Sequence, residues 1–559
     1  MSGSAAAAEP APGEDVARYV GRALAELGVA QAFGVIGSGN FTVANSLRAH
    51  GVPFVAARHE AGAMTMADGY ARVSGRMALM TTHQGCGLTN AMTGIGEAAK
   101  SRTPMIVLTA DSAGSAVNSN FTIDQDALVR SVGAVPERVH SAASARADVL
   151  RAYRTALADA RTVVLNLPLD VQGLRVPPAA AALPATLTLP SPARASEDAV
   201  ADLAELVRAA ARPVFVAGRG GRGYRDELRA AAAAAGALVA TSAVANGLFR
   251  GDPYDLGISG GFSTPLAAEL IREADLIVGW GASLNMWTMR HGALIGAGAR
   301  VVQIDHDPLA LGAHRRVDLA VTGDVGATAR DLTATLGGER TGYRTDGIRD
   351  RIAREGAWSA LPFDDLSGDG RIDPRLLSAE LDRMLPAERT VAVDSGNFAG
   401  YPSAYIRPPD AAGSCFTQAF QSVGLGLASG IGAAVARPDR VTVVGAGDGG
   451  FFMSIAELET AVRLRLPLVL VVYDDSAYGA EVHHFGGTEA DLEIVRFPDR
   501  DIAAIARGFG AAGLTVTSRA DLSGVGEWLA GPRDRPLVID AKIADDGGAW
   551  WLAEAFAGH

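Results

Sequence analysis

The sequence predicts an α/β protein built of three doubly wound parallel-sheet domains. Three observations lead there. The chain is 559 residues long, which at about 150 residues per domain is enough for three or four separately buried cores. Short β-rich runs alternate with longer alanine-rich stretches of helical character, the pattern of parallel sheets crossed by helices. Two stretches poor in core-forming side chains cut that alternation into segments of comparable length.

In chain order, residues 1–15 (MSGSAAAAEPAPGED) lack the basic start and apolar run of a secretory signal and read as a disordered tail. Between 16 and 175, strands are expected at Gln31–Val35, Phe54–Ala57, Met77–Thr82, Met105–Ala110 and Thr162–Leu167. Residues 176–195 are too broken by proline for a helix and read as a linker. Between 196 and 340 the expected strands are Pro213–Ala217, Leu238–Thr241, Leu276–Trp280, Val301–Asp305 and Leu319–Thr322. A polar stretch, 341–371, reads as a second linker. The third domain, 372–545, carries Thr390–Asp394, Val441–Gly445, Pro467–Tyr473 and Leu537–Ala541, and 546–559 forms a C-terminal tail.

Composition narrows the function. The 50 basic residues against 62 acidic ones give a net charge of −12, which argues against a dedicated nucleic-acid binder. Only Lys100 and Lys542 are lysines, so Schiff-base chemistry has two candidates. Neither sits in a setting that marks it: Lys100 closes GIGEAAKS, which lacks the glycine before lysine of a phosphate loop and reads as helix. Two cysteines, Cys86 and Cys415, make neither a disulfide framework nor a four-thiolate zinc site, and point to the cytoplasm. No long uncharged apolar run suggests a membrane span.

Two glycine loops follow strands and precede helices: Gly218, Gly220 and Gly223, and Gly445, Gly447 and Gly450. Either could seat a diphosphate on a helix N-terminus or simply be a tight turn. After the first, the next strand ends without the acid that holds a nicotinamide ribose. The second contains Asp448, a carboxylate placed where a diphosphate would sit, and that is repulsive unless a cation intervenes. Asp475 ends the next strand, 27 positions on, room for one helix and one strand. Both carboxylates are then expected at the C-terminal edge of one sheet, a donor set suited to Mg²⁺ with phosphate and water. Glu60 opens a helix just after a strand, either as an ordinary first-turn acid or as a proton-transfer group.

The runs GDGGFFMSIAELETAVRLRLPLVLVVYDDSAYG, RHEAGAMTMADGYARVSG and HQGCGLTNAMTGIGEAAKSRTPMIVLTAD resemble the motifs of thiamin diphosphate-dependent enzymes, closest to the acetolactate synthase, benzoylformate decarboxylase and benzaldehyde lyase group. The resemblance extends from about Val16 to Ala541. It implies pyrimidine-binding, central and diphosphate-binding domains in that order, and a homodimer or homotetramer with its active site at the dimer interface. It further implies Mg²⁺ held by Asp448, Asp475 and the backbone oxygen of Ala477. Gly396, Asn397, Gly447, Gly449 and Gly450 would meet the diphosphate. Val423 would wedge the cofactor, and Glu60 would act on the pyrimidine ring. Gln84, Gln125 and Glu481 are the substrate-facing candidates, with His83, His483 and His484 behind them. The implied reaction is decarboxylation of a 2-oxo acid with carboligation to a second carbonyl.

Departures shape the expectation. Asp475 stands where the family usually has Asn, HQGCG replaces the usual Gly-Pro-Gly turn, and Gly39 and Asn40 occupy a loop where several relatives place an acid or histidine. ASLNMWTMR replaces the flavin-associated run of acetolactate synthases, so FAD is not supported. Alternatives are a 2-hydroxy ketone or 2-hydroxyacyl-CoA lyase, a simple 2-oxo acid decarboxylase, a silent regulatory relative, and more distantly a nicotinamide oxidoreductase.

Overall fold

The computed structural model describes residues 13–178, 182–183 and 187–551. It contains three six-stranded sheets, every strand pair parallel, with helices in the crossovers. In the first, β1 (Gln31–Gly34), β2 (Phe54–Ala56), β3 (Ala78–Thr82), β4 (Met105–Asp111), β5 (Val135–Arg138) and β6 (Thr162–Pro168) run in the order β2-β1-β3-β4-β6-β5. In the second, β7 (Pro213–Ala217), β8 (Leu238–Thr241), β9 (Asp255–Ile258), β10 (Leu276–Trp280), β11 (Arg300–Asp305) and β12 (Leu319–Thr322) run β12-β11-β10-β7-β8-β9. The third orders β13 (Arg389–Val393), β14 (Ser414–Phe416), β15 (Val441–Gly447), β16 (Leu468–Asp474), β17 (Ala512–Val516) and β18 (Leu537–Lys542) as β14-β13-β15-β16-β18-β17. The three doubly wound sheets expected from the sequence are present.

Four strands escape the sequence reading: β5, β9, β14 and β17. All four are sheet edges. An interior strand such as β4 is buried at every residue and so reads as a continuous apolar run. An edge strand carries a weaker signal. β5 contains Pro136, β9 contains Gly257 and a register shift, and β14 is three residues long.

The described chain divides into two compact units, one reaching Pro190 and including Gln418–Gly432, the other holding the rest. The first unit contains the first sheet, whose core joins Tyr19, Leu47, Leu79, Ile106 and Leu165. The second unit contains the other two sheets. Trp280 centres one core of the second sheet, and the third sheet packs Val443, Val471 and Ile539 with Trp551.

Within the expected linkers and tails the described residues carry structure of their own. Residues 341–371 contain a helix, Asp346–Glu355, capped by the Thr345 side chain. From the first linker, Leu183 and Leu187 pack on the first core. Trp550 and Trp551 belong to the third core, not to a free tail. Most of the N-terminal tail, part of the first linker and residues 552–559 lie outside the described residues. Among the described residues no helix is long and apolar enough to cross a membrane.

Candidate functional site

β13, β15 and β16 are neighbours, so the loops leaving their carboxyl ends converge where the strand order reverses, the usual ligand edge of such sheets. Gly396 and Asn397 follow β13, Asp448 follows β15 and Asp475 follows β16. Gly396 has φ +143°, which excludes a side chain there at low cost, and Asn397 is buried. Asp448 opens the helix Asp448–Ser454. Asp475 precedes Ser476, whose φ of +55° turns the chain sharply. Any side chain at Gly479 would collide with the Asp475 carboxylate, so that glycine lets the next helix start against it.

Asp448 and Asp475 are close enough to act on each other electrostatically. Burial, followed by the neighbouring carboxylates Asp475 and Asp474, pushes the Asp448 carboxyl above the usual range. Asp475 is raised too, by burial and by Asp474, although it accepts the Ala477 N–H at 3.2 Å. Among the described residues neither acid has an ion-pair partner, and no cluster of three or more His, Cys, Asp or Glu could hold a metal by side chains alone. Two facing hard-oxygen donors fit a Mg²⁺ completed by main-chain, phosphate and water oxygens. The glycines of the loop are closely covered: a Cβ on Gly447 would stand 3.2 Å from the Phe398 ring and one on Gly449 2.8 Å from Tyr478.

The C-terminal segment buttresses this edge. Ala549 N–H donates to Asn397 Oδ1 at 3.2 Å, Tyr401 O–H donates to Asp546, and the Trp551 ring fills the space that a Gly400 side chain would need. Glu481, His483 and His484 share the helix Gly479–Phe485; Glu481 and His484 are exposed, and His483 lies against Gly548.

In the first unit, Glu60 opens the helix Glu60–Ser74, with His59 as its cap. Its carboxylate accepts from Asn90 Nδ2 at 3.0 Å. Gly85, at φ +63°, lets the chain turn against the Phe121 carbonyl before the helix Cys86–Lys100, which includes the phosphate-loop look-alike. Gln84 and Gln125 have different surroundings. Gln84 Oε1 is buried with no partner among the described residues and fills the space that a Gly39 side chain would need. Gln125 is committed on every side: its oxygen accepts the Gly85 N–H at 2.8 Å, and its amide donates to Ala110 O at 3.1 Å and Asn166 Oδ1 at 2.6 Å. These bonds hold the Gly85 turn. Asn40 is likewise structural, tying Gly37, Val35 and Thr81 together. His83 Nε2 lies 3.3 Å from Ser38 Oγ and packs on Phe121.

Val423 is 38% exposed, so it is no core valine. Its segment is pinned by Glu97; neither Glu97 nor Asn90 is singled out by the sequence, because both lie inside the helix Cys86–Lys100, away from any strand-to-helix boundary.

The first glycine loop is a packing device. Gly220 N–H donates to Gly281 O at 3.1 Å, and a Cβ on Gly220 would come within 2.9 Å of Gly281 Cα. Two loops cross too closely there for side chains, which accounts for the glycines without a dinucleotide.

The third sheet thus presents two acids at neighbouring strand ends behind a glycine loop, and in the first unit Glu60 opens a helix. Family models match along the chain: the N-terminal TPP binding domain of thiamine pyrophosphate enzymes over residues 14–128, the central domain over 200–332 and the C-terminal TPP binding domain over 394–541. The chain belongs to the thiamine pyrophosphate (thiamin diphosphate) enzyme family. It is 30% identical to a sulfoacetaldehyde acetyltransferase of Rhodobacter capsulatus over 533 residues, 89% of this chain and 88% of the relative. It is 26% identical to the acetolactate synthase isozyme 2 large subunit of Escherichia coli over 547 residues, 96% and 97% of the two chains. A solved thiamin diphosphate-dependent 4-hydroxybenzoylformate decarboxylase of Rhodococcus jostii shares the fold at a TM-score of 0.81 and 22% identity, with 96% of this chain and all of that one covered.

Proposed function

We propose that this thiamin diphosphate enzyme uses Mg²⁺ to decarboxylate a 2-oxo acid and joins the remaining fragment to a second carbonyl, in the manner of acetolactate synthase. The observation that carries the reading is the pair of neighbouring carboxylates at adjacent strand ends, Asp448 buried and Asp475 half-buried, with no ion-pair partner among the described residues. Asp448, Asp475 and the Ala477 carbonyl would hold the metal; Gly396, Asn397, Gly447, Gly449 and Gly450 would receive the diphosphate. When bound, thiamin diphosphate supplies a carbon nucleophile and an electron sink. The chain's own groups do the rest. Glu60 would hydrogen-bond the pyrimidine ring of the bound cofactor, and Asn90, which donates to its carboxylate, would orient it. Val423 presents apolar surface to the cofactor, and Gln84 offers an unpartnered amide oxygen toward the substrate space. Glu481, exposed on the helix Gly479–Phe485, would move a proton at the product stage. In this reading the protein is a cytoplasmic homodimer or homotetramer in which Glu60 serves the partner copy's cofactor.

The test is a panel of 2-oxo acids and aldehydes with thiamin diphosphate and Mg²⁺, scoring CO₂ release and carbon–carbon bond formation separately. Both signals are expected with at least one pair. Release without ligation would reduce the protein to a decarboxylase. Neither signal would overturn the reading in favour of 2-hydroxy ketone or 2-hydroxyacyl-CoA cleavage.

A further inference from the structure

Of the two lysines in the chain, Lys542 is nearly buried at the end of β18, directly opposite Asp474 of β16. Its Nζ donates at 2.6 Å to Asp474 Oδ2, at 2.6 Å to Asp499 Oδ1 and at 2.6 Å to the Arg500 carbonyl. An ammonium has three N–H donors, so all three are used. Asp540 Oδ1 lies a further 3.2 Å from the same nitrogen.

Each acceptor leads to the turn that carries Asp475. Asp474 Oδ1 accepts both the N–H and the O–H of Ser476, at 2.9 and 3.1 Å, which stabilises the left-handed conformation at that residue. A non-glycine residue in that region is strained and persists only where its surroundings over-determine it. On the other side, Phe497 N–H donates to Ser476 O at 2.8 Å and Tyr478 N–H to Val495 O at 2.9 Å. The far end of that same segment, Asp499–Arg500, is the part held by Lys542. The Asp475–Ala477 turn is therefore gripped from both flanks, and the two grips meet at one ammonium. The surroundings are otherwise acidic: Asp448, Asp474, Asp475, Asp499 and Asp540 share the neighbourhood.

We propose that Lys542 is a positioning residue for the metal turn. It balances Asp474 and locks the Ser476 turn, so that the Asp475 carboxylate and the Ala477 carbonyl are presented to Mg²⁺. The proposal rests on the metal site put forward above, and concerns a residue that touches neither metal nor substrate.

The test titrates Mg²⁺ into full-length protein stripped with EDTA, at fixed thiamin diphosphate, and reads the change in tryptophan fluorescence on cofactor binding. Lys542→Met is expected to weaken Mg²⁺ at least tenfold with its circular dichroism unchanged. The double variant Asp474→Asn/Lys542→Met removes both charges and keeps an acceptor for Ser476. It is expected to return within about threefold of the unsubstituted protein. Wild-type Mg²⁺ affinity in folded Lys542→Met, or a double variant no better than the single one, would overturn the positioning role alone. If Lys542→Met does not fold, the double variant decides: recovery supports the role and a tenfold loss overturns it. Absence of Mg²⁺-dependent cofactor binding in the unsubstituted protein would overturn the metal reading itself.

Discussion

The Glu97 carboxylate accepts the Phe420 backbone N–H at 2.6 Å, joining two points of the first unit that lie 323 residues apart in sequence. It also accepts from Ala419 N–H at 3.1 Å and from Arg72, whose guanidinium is shared with Asp68. Glu97 is fully buried. Burial alone would raise its carboxyl, but Arg72 and the two N–H groups outweigh burial and hold it below its ordinary 4.5. The segment leading to Val423 is thus anchored by a paired, desolvated charge.

Removing that charge strands Arg72 and two amides. Glu97→Ala is expected to cost about 3 to 5 kcal/mol, read as an earlier urea transition and faster proteolysis near Phe420. Because the folded carboxyl is depressed, its stabilisation is present above 4.5 and is lost as pH falls through the folded value. Glu97→Gln should therefore show a shallower loss of thermal midpoint on acidification below that point than the unsubstituted protein; parallel curves would contradict the assignment.

Among the described residues Glu60 accepts one side-chain hydrogen bond, from Asn90. Glu60→Gln should leave thiamin diphosphate binding within a few-fold, by fluorescence titration, while turnover falls by about 10² to 10⁴. Retained turnover would remove Glu60 from the chemistry.

Asp448 and Asp475 separate the metal reading from a dinucleotide one. Asp448→Ala is expected to abolish Mg²⁺-dependent cofactor binding, and EDTA to inactivate the unsubstituted protein reversibly. Asp475→Asn keeps an oxygen donor and should keep binding, at reduced Mg²⁺ affinity. Nicotinamide binding that survives or improves in Asp448→Ala would favour the oxidoreductase alternative.

The parts of this molecule legible in the sequence share a local signature. Glu60, Asp448 and Asp475 stand at strand or helix boundaries punctuated by glycine, and the interior strands announce themselves as apolar runs. What stayed hidden depends on distant partners: Lys542 meets Asp474 across 68 residues, and Glu97 meets Phe420 across 323. Gln125 is legible in the sequence only as a polar residue of FTIDQDAL; the bonds that tie it to Gly85, Ala110 and Asn166 appear only in the folded packing.

Gln125→Ala would leave the Gly85 N–H and Asn166 Oδ1 without their partner in a buried setting, each at a cost of about 1 to 3 kcal/mol. The expected result is a lowered thermal midpoint together with a roughly tenfold fall in kcat/KM as the Gln84–Gly85 turn shifts, since a small misplacement of positioning groups is costly. Gln84→Ala should lower kcat/KM with the midpoint nearly unchanged, because the Gln84 amide oxygen has no partner among the described residues to lose. Equal effects on stability from both substitutions would erase the distinction between a residue that holds the turn and one that faces the substrate.

Trp551 gives the last prediction. Its ring occupies the space beside Gly400 and packs edge-on to Tyr401 at a centroid distance of 5.3 Å, two residues before which Ala549 donates to Asn397. Truncating a buried tryptophan costs about 3 to 5 kcal/mol when the neighbours cannot collapse, and here the loss falls on the segment that steadies Asn397, in the loop proposed to receive the diphosphate. Trp551→Ala should therefore weaken thiamin diphosphate about tenfold at saturating Mg²⁺, while Trp551→Phe, which keeps an aromatic ring against Gly400, stays within a few-fold. Gly400→Ala pushes against the same ring from the other side and should reproduce the Trp551→Ala defect. If neither change alters cofactor affinity in folded protein, the C-terminal segment serves the core alone and Asn397 is positioned without it.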